Sequence, residues 1–224
     1  QPCYNTPFIV HADFAMTEPT YIPLRLHTEF SITDGMVRIK KLIAKAQEYG
    51  LPALGISDLM NEFGLVKFYK VCRSAGIKPV GAADVWIGNP NAPDKPFRAM
   101  LIIRNDAGYL RLSELLTAAY VGKDRNVHHA ELNPEWLENG DNSGLICLSG
   151  AHYGEVGVNL LNGNEDAARA AALKYAAWFP DAFYLELQRL PERPEWEACV
   201  SGSVKLAEEL GLPVVATHPT QFMS

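Results

Sequence analysis

The segment Leu24-Arg25-Leu26-His27-Thr28-Glu29-Phe30-Ser31 has the form of a metal-binding turn from which one ligand is missing. An imidazole nitrogen or a carboxylate can hold a divalent ion, and His27 offers the first of these. Arg25, two residues earlier, is always cationic and has no lone pair to give. The defect recurs in Gly55-Ile56-Ser57-Asp58-Leu59-Met60, where the carboxylate of Asp58 is followed by a leucine. Asp84, Ser149, Gln188 and His218 are the other polar residues placed where chemistry could gather. Adjacent His128 and His129 would point in different directions on any regular element, so they read as part of a solvated loop. Glu208-Glu209 lie between Leu206 and Leu210 and read as the solvated face of a helix.

A regular alternation of short apolar strands and amphipathic helices must position these groups. Strands are predicted over 22–26, 53–57, 80–87, 99–103, 145–149, 183–188 and 214–217. A helix is predicted over 36–49, where Ile39, Leu42, Ile43 and Ala46 share one face and Gly50 stops the run. Another spans 65–75, with Leu65, Phe68, Tyr69 and Cys72 inward and Gly76 as its cap. Further helices are predicted over 106–120, 165–179 and 194–210, with a surface turn at 88–96 and a polar loop at 121–130. This succession implies a parallel sheet covered by helices. His27, Asp58, Asp84, Ser149, Gln188 and His218 each fall at or just past a strand's C-terminal end, where a barrel collects its functional groups. Periodicity alone also fits a doubly wound open sheet.

With 224 residues, 48% of them hydrophobic and 21% charged, the chain can bury one large core. A net charge of −6 repels a phosphate backbone in aggregate, and no window carries a run of Lys and Arg, so the chain alone is not expected to grip DNA. Cys3, Cys72, Cys147 and Cys199 are scattered without C-x-x-C spacing. They read as reduced thiols of a cytoplasmic protein rather than as a disulfide framework or a zinc site. No apolar run reaches the roughly 18 residues of a membrane span, so no membrane partner is expected. Residues 1–15 lack the basic start and apolar centre of a signal peptide. They are expected to be an N-terminal extension or an expression remnant, with Met16 the natural start of a single domain over 16–224. No G-x-S-x-G, G-x-x-x-x-G-K-[ST] or G-x-G-x-x-G motif is present, which leaves serine-hydrolase, NTPase and dinucleotide readings without residues to rest on.

Several blocks carry a resemblance. They are Leu26-His27-Thr28-Glu29-Phe30-Ser31 with Asp34-Gly35, Asn61-Glu62-Phe63-Gly64-Leu65-Val66-Lys67-Phe68-Tyr69, and Ala75-Gly76-Ile77-Lys78-Pro79. Gly144-Leu145-Ile146-Cys147-Leu148-Ser149-Gly150, Phe183-Tyr184-Leu185-Glu186-Leu187 and Gly211-Leu212-Pro213-Val214-Val215-Ala216-Thr217 continue the series in order. From Tyr21 onward the chain resembles the PHP domain (polymerase and histidinol phosphatase) family, in the form found at the N-terminus of bacterial replicative DNA polymerase III α subunits. The resemblance implies an α/β fold, a distorted (β/α)7 barrel forming a single domain, whose C-terminal end can be truncated here.

Metal-loaded members of that family hold several ions, and by the resemblance most ligand positions are substituted in this chain. His27, Asp58 and Asp84 keep a donor, whereas Arg25, Leu59, Ala151 and Leu190 do not, and His218-Pro219-Thr220-Gln221 stands where N-D-x-H would close the set. The implied relic cleft is Arg25, His27, Asp58, Asp84 and His218, with no metal expected. Two readings of Arg25 stay open. Its guanidinium can replace a cation by bonding Asp58 or Asp84, or it can point to solvent while Leu59, Leu190 and water fill the pocket. One residual ion on His27, Asp58 and Asp84 is a further arrangement. His218 reads as a core or rim histidine and His152 as a rim residue.

The resemblance also implies a longer parent chain that acts in DNA replication as a DNA-directed DNA polymerase, a nucleotidyltransferase with Mg²⁺ in a palm outside this sequence. For this portion it implies a non-catalytic scaffold with no cofactor of its own. That scaffold would dock the proofreading exonuclease subunit within the polymerase III holoenzyme, through loops such as 88–96 or 121–130, and meet DNA only through the parent chain. The rival reading is a metal-dependent phosphoesterase or 3′–5′ exonuclease acting in the cleft, chemistry that needs the ions.

Overall fold

In the computed structural model, which describes residues 21–190 and 192–221, six strands form one curled sheet in the order β1-β2-β3-β4-β5-β6. The expected extension at 1–15, with Cys3 and Met16, lies outside the described residues. The chain runs through α1 (Ile39–Glu48), β1 (Ala53–Leu59), α2 (Leu65–Ser74), β2 (Lys78–Ile87), β3 (Phe97–Ile103) and α3 (Asp106–Val121). It continues through α4 (Pro134–Glu138), β4 (Leu145–Leu148), α5 (Glu155–Leu161), α6 (Glu165–Trp178), β5 (Phe183–Leu187), α7 (Glu197–Leu210) and β6 (Val214–Ala216). The predicted elements all recur within a few residues except the first strand. The helices α4 and α5 were not predicted, since five and seven residues are too few for a helical period to stand out.

The sheet is not parallel throughout. β1–β2, β4–β5 and β5–β6 are parallel, but β3 runs antiparallel to both β2 and β4. A parallel return needs a crossover of a dozen or more residues, usually a helix, and the turn at 88–96 holds none, so β2 and β3 form a hairpin.

The predicted strand at 22–26 is an extended stretch without a regular ladder. Its backbone is tied on both sides: the N–H groups of Gly55 and Ser57 donate to the carbonyls of Pro23 (2.7 Å) and Leu26 (2.9 Å), and His27 donates to Thr220 (2.9 Å). The Leu26 N–H is taken by the Ser57 hydroxyl at 3.0 Å instead of by a strand carbonyl, which interrupts the ladder. Gly55 permits the approach, because a Cβ there would lie 2.3 Å from the Leu24 carbonyl oxygen. This stretch therefore spans the gap between β1 and the residues after β6, and with it the sheet curls into a distorted barrel.

Alternation along the strands sorts side chains to two faces. One face of the sheet meets α3, α6 and α7 in the largest core, with Val85, Leu101, Leu112, Leu115, Leu145 and Phe183 among its members. α1, α2 and β1 enclose a second core around Ile39, Leu42, Ile56 and Phe68. Ala82, Met100, Ile102 and Leu148 pack together on the opposite face of the sheet, with Val80, Tyr184 and Val215 against them. Two residues further along the same strands stand Asp84, beyond Ala82, Arg98, before Met100, and Glu186, beyond Tyr184. The polar cleft is the next layer of that inner face.

Candidate functional site

Arg25 projects into this layer and is buried, with 4% of its surface exposed. Its Nε and Nη2 donate to Oε1 and Oε2 of Glu186, both at 2.8 Å, while Nη1 bonds Oδ2 of Asp84. Glu186 is saturated: Gly150 N–H donates at 3.1 Å, Gln188 Nε2 at 3.2 Å, and the Thr217 hydroxyl bonds Oε1. Its own backbone N–H donates to the Ser149 hydroxyl at 2.9 Å, so Ser149 and Gln188 serve to hold this carboxylate. Burial alone would raise the Asp84 carboxyl, but the Arg25 guanidinium and the His27 hydrogen bond outweigh it and hold the group well below the usual carboxylate range. The same carboxylates raise Arg25 against the effect of burial.

His27 is buried between two carboxylates, with Nε2 3.0 Å from Asp84 Oδ2 and Nδ1 2.9 Å from Asp34 Oδ1. Burial alone would lower its pKa, yet the hydrogen bonds to Asp34 and Asp84 prevail and push it up to about 9. At neutral pH it is an imidazolium donating from both nitrogens. Arg98 completes the cluster, with Nη2 3.5 Å from Asp34 Oδ2 and Nε 3.8 Å from Asp84 Oδ2, and its guanidinium lies over the Trp86 ring at 4.6 Å. Arg25, His27 and Arg98 thus face Asp34, Asp84 and Glu186, cation matched to carboxylate.

Asp58 does not join this ion-paired group. Its oxygens accept from Thr28 N–H (2.7 Å), the Thr28 hydroxyl (2.9 Å to each oxygen) and the Ser31 hydroxyl (2.8 Å). Neutral donors from the turn at 28–31 satisfy it, so Arg25 bonds Asp84 and leaves Asp58 alone. His218 is exposed and outside the cleft. His152 is buried, not at the rim; its ring stacks on Trp196 with centroids 3.3 Å apart, and burial pushes its pKa down to about 4. Leu59 and Leu190 are half-buried, and Leu59 packs into the main core.

Glu186, Asp34, Arg98, Thr28 and Ser31 were not among the predicted site residues. Glu186 did leave a signal, as the sole charge within the apolar strand Phe183–Leu187. Asp34 lay in one of the blocks that carry the resemblance.

Divalent ions of the kind the resemblance implies can be tested against these donors. Both oxygens of Glu186 and one of Asp84 accept N–H groups of Arg25, and the second nitrogen of His27 is engaged by Asp34. Among the described residues, no group of three or more His, Cys, Asp or Glu side chains is arranged to hold an ion. A guanidinium between two carboxylates leaves neither the lone pairs nor the potential that a dication needs, so the residues present do not fit such an ion.

The PHP domain family model matches residues 23–190, most of the chain. The chain belongs to the PHP domain family. This PHP domain is 98% identical over 209 residues to the DNA polymerase III subunit alpha of Neisseria meningitidis serogroup A, covering 93% of the chain and 18% of that protein. It is 38% identical over 208 residues to the DNA polymerase III subunit alpha of Escherichia coli K12, again covering 93% of the chain and 18% of the relative. It therefore spans under a fifth of the length of these curated relatives. A crystal structure from Bifidobacterium adolescentis, assigned as a metal-dependent phosphoesterase, superposes with a TM-score of 0.49 at 11% identity over 90% of this chain and 87% of that one.

Proposed function

We propose that this PHP domain is a portion of a DNA polymerase III α subunit, working in the cytoplasm as a non-catalytic scaffold of the replicative polymerase. Primer extension belongs to the rest of the parent chain, whose palm supplies the Mg²⁺ chemistry. The observation that carries the reading is the Arg25 guanidinium lying between Asp84 and Glu186. On this reading a fixed cation of the protein stands in for the exchangeable ions that a hydrolytic cleft would need to make hydroxide and neutralise a phosphate. On this reading the cleft contributes structure, joining β2, β5 and the stretch before α1. The outer loops and helices are left free to dock the proofreading exonuclease subunit.

Elemental analysis of the purified chain, alongside phosphatase and nuclease assays with Mn²⁺ or Zn²⁺, tests the first part. We expect neither stoichiometric metal nor hydrolysis. Bound metal with hydrolysis lost in Asp84→Asn would establish the phosphoesterase reading instead. Calorimetric titration of the exonuclease subunit into the chain and into the longer α subunit tests the docking. Heat with the longer chain alone would put the contact elsewhere.

A further inference from the structure

Charge is segregated in this acidic chain. Between positions 38 and 78 there are eight Lys or Arg against three Asp or Glu, in a chain of net charge −6. Of those three acids, Asp58 is buried and Glu62 half-buried, leaving Glu48 as the exposed one. The sequence conceals the concentration, because the basic residues fall on two helices separated by β1. In the fold α1 and α2 lie side by side: both pack into the core built on Phe68, and the Gln47 side chain at the end of α1 donates to the Ala75 carbonyl at the end of α2 (3.4 Å).

The outward faces of the two helices carry Lys40, Lys41, Lys67, Lys70 and Arg73, all exposed, with Arg38 and Lys78 at their ends. An ordinary solvated helix face alternates its signs, with acids one turn from bases. α3, α6 and α7 keep these bases matched, Arg111 to a glutamate one turn on and Arg169, Lys174 and Lys205 to glutamates of a neighbouring helix. α1 and α2 do not. Lys45 is held by Glu48, and Lys67 and Arg38 lie near Glu29, but Lys40, Lys41, Lys70, Arg73 and Lys78 form no ion pair among the described residues. Exposed Tyr49 and Tyr69 stand among them.

We infer that the outward faces of α1 and α2 form a contact surface for the phosphate backbone of duplex DNA. Each helix is about 15 Å long. Duplex DNA carries one charge per roughly 1.7 Å of axis, so the face is matched in length and sign to several consecutive phosphates. Unpaired lysines cost little to bring to a polyanion, and the counterions released by the DNA supply the driving force. The contact carries no sequence information, since positioning by phosphates reads no bases. It rests on the reading of this chain as part of a DNA polymerase, which makes a duplex the polyanion at hand, and it goes beyond that reading by giving the PHP domain its own contact with DNA.

The test uses the full-length α subunit and a primed duplex, with Kd measured by fluorescence anisotropy across a range of salt. The variant carries Lys40→Gln, Lys41→Gln, Lys70→Gln and Arg73→Gln, and the control neutralises Lys95, Lys123, Arg125 and Lys205 in the same way. We expect the slope of log Kd against log salt to become shallower by about two or more, at about 0.9 per lost phosphate contact, with at least about a tenfold weaker Kd near physiological salt. Primer extension at saturating DNA should be unchanged, and the control should behave as wild type. Primer extension by the unmodified α subunit checks the underlying reading separately from the patch. An unchanged slope and Kd in the variant would overturn the inference. So would a variant that keeps its DNA binding but loses another holoenzyme subunit, which would make the face a site for an acidic protein.

Discussion

Arg25 and Glu186, 161 positions apart, meet through two N–H···O bonds of 2.8 Å each. The pair joins the stretch before α1 to β5, and through Nη1 the same guanidinium reaches Asp84 on β2. Arginine suits this place because its planar fork meets one carboxylate in parallel and still has a donor for a second. The result is a buried ion network that ties β2, β5 and the stretch before α1 together.

Arg25→Leu should therefore leave two buried carboxylates without their cation and destabilise the domain by about 3–5 kcal/mol. Arg25→Lys should cost less but not nothing, since an ammonium cannot reproduce the fork. Urea denaturation of the chain measures both. A midpoint for Arg25→Leu within error of wild type would mean that the network contributes little.

The partners should also be coupled. Glu186→Leu alone leaves Arg25 with one carboxylate, whereas Arg25→Leu with Glu186→Leu removes both charges of the fork and replaces them with apolar volume. The double variant should be more stable than the sum of the single losses implies, by about 1–3 kcal/mol. Strict additivity in the cycle would show the two side chains to be independent.

Acid and alkali should act through different members of the network. His27 is held at about 9, above its ordinary 6.5, so the folded state binds this proton more tightly than the unfolded state. Its contribution is fully present below about pH 6.5 and is lost as pH rises through about 9. Asp84 is held below its ordinary value, so its contribution is present above about pH 4 and is lost as pH falls further. Urea midpoints should decline on both sides of a plateau between those limits, and His27→Gln should reduce the alkaline decline. An alkaline limb of the same steepness in that variant would assign it to other groups.

Much of this is legible in the sequence. Apolar period marked the strands and all the longer helices, and the arginine in place of an imidazole at position 25 left two readings, an internal cation on Asp58 or Asp84 or a side chain turned to solvent, of which the structure has the bond to Asp84. Glu186 was harder to see, because a glutamate alternating with apolar residues on a strand resembles an outward-facing position. Only closure of the sheet turns that face inward. The antiparallel β3 could have been inferred from the absence of a helix between Ile87 and Phe97. The lost ladder at 22–26 could not, since it depends on the Ser57 hydroxyl taking a backbone N–H from a distant segment. His218 falls just past a strand end in sequence, but the turn after β6 carries its side chain outward.

Gly150 offers the sharpest test of how the cleft is assembled. It adopts φ +79°, a left-handed conformation that an alanine resists, and a Cβ there would lie 2.0 Å from the Arg98 carbonyl oxygen. Its N–H is also one of the donors to Glu186. Gly150→Ala must either push β3 away, which displaces Arg98 from Asp34 and Asp84, or turn the N–H from Glu186. Either response loosens the network, and we expect a loss of at least about 2 kcal/mol, larger than the usual cost of a Gly to Ala change in the left-handed region alone. Gly163→Ala is the control: it has φ +73° but open space around the position where a Cβ would stand, so it carries the conformational cost without the collision. Equal midpoints for the two variants in urea would show that the approach of Gly150 to Arg98 is not what holds the cleft together.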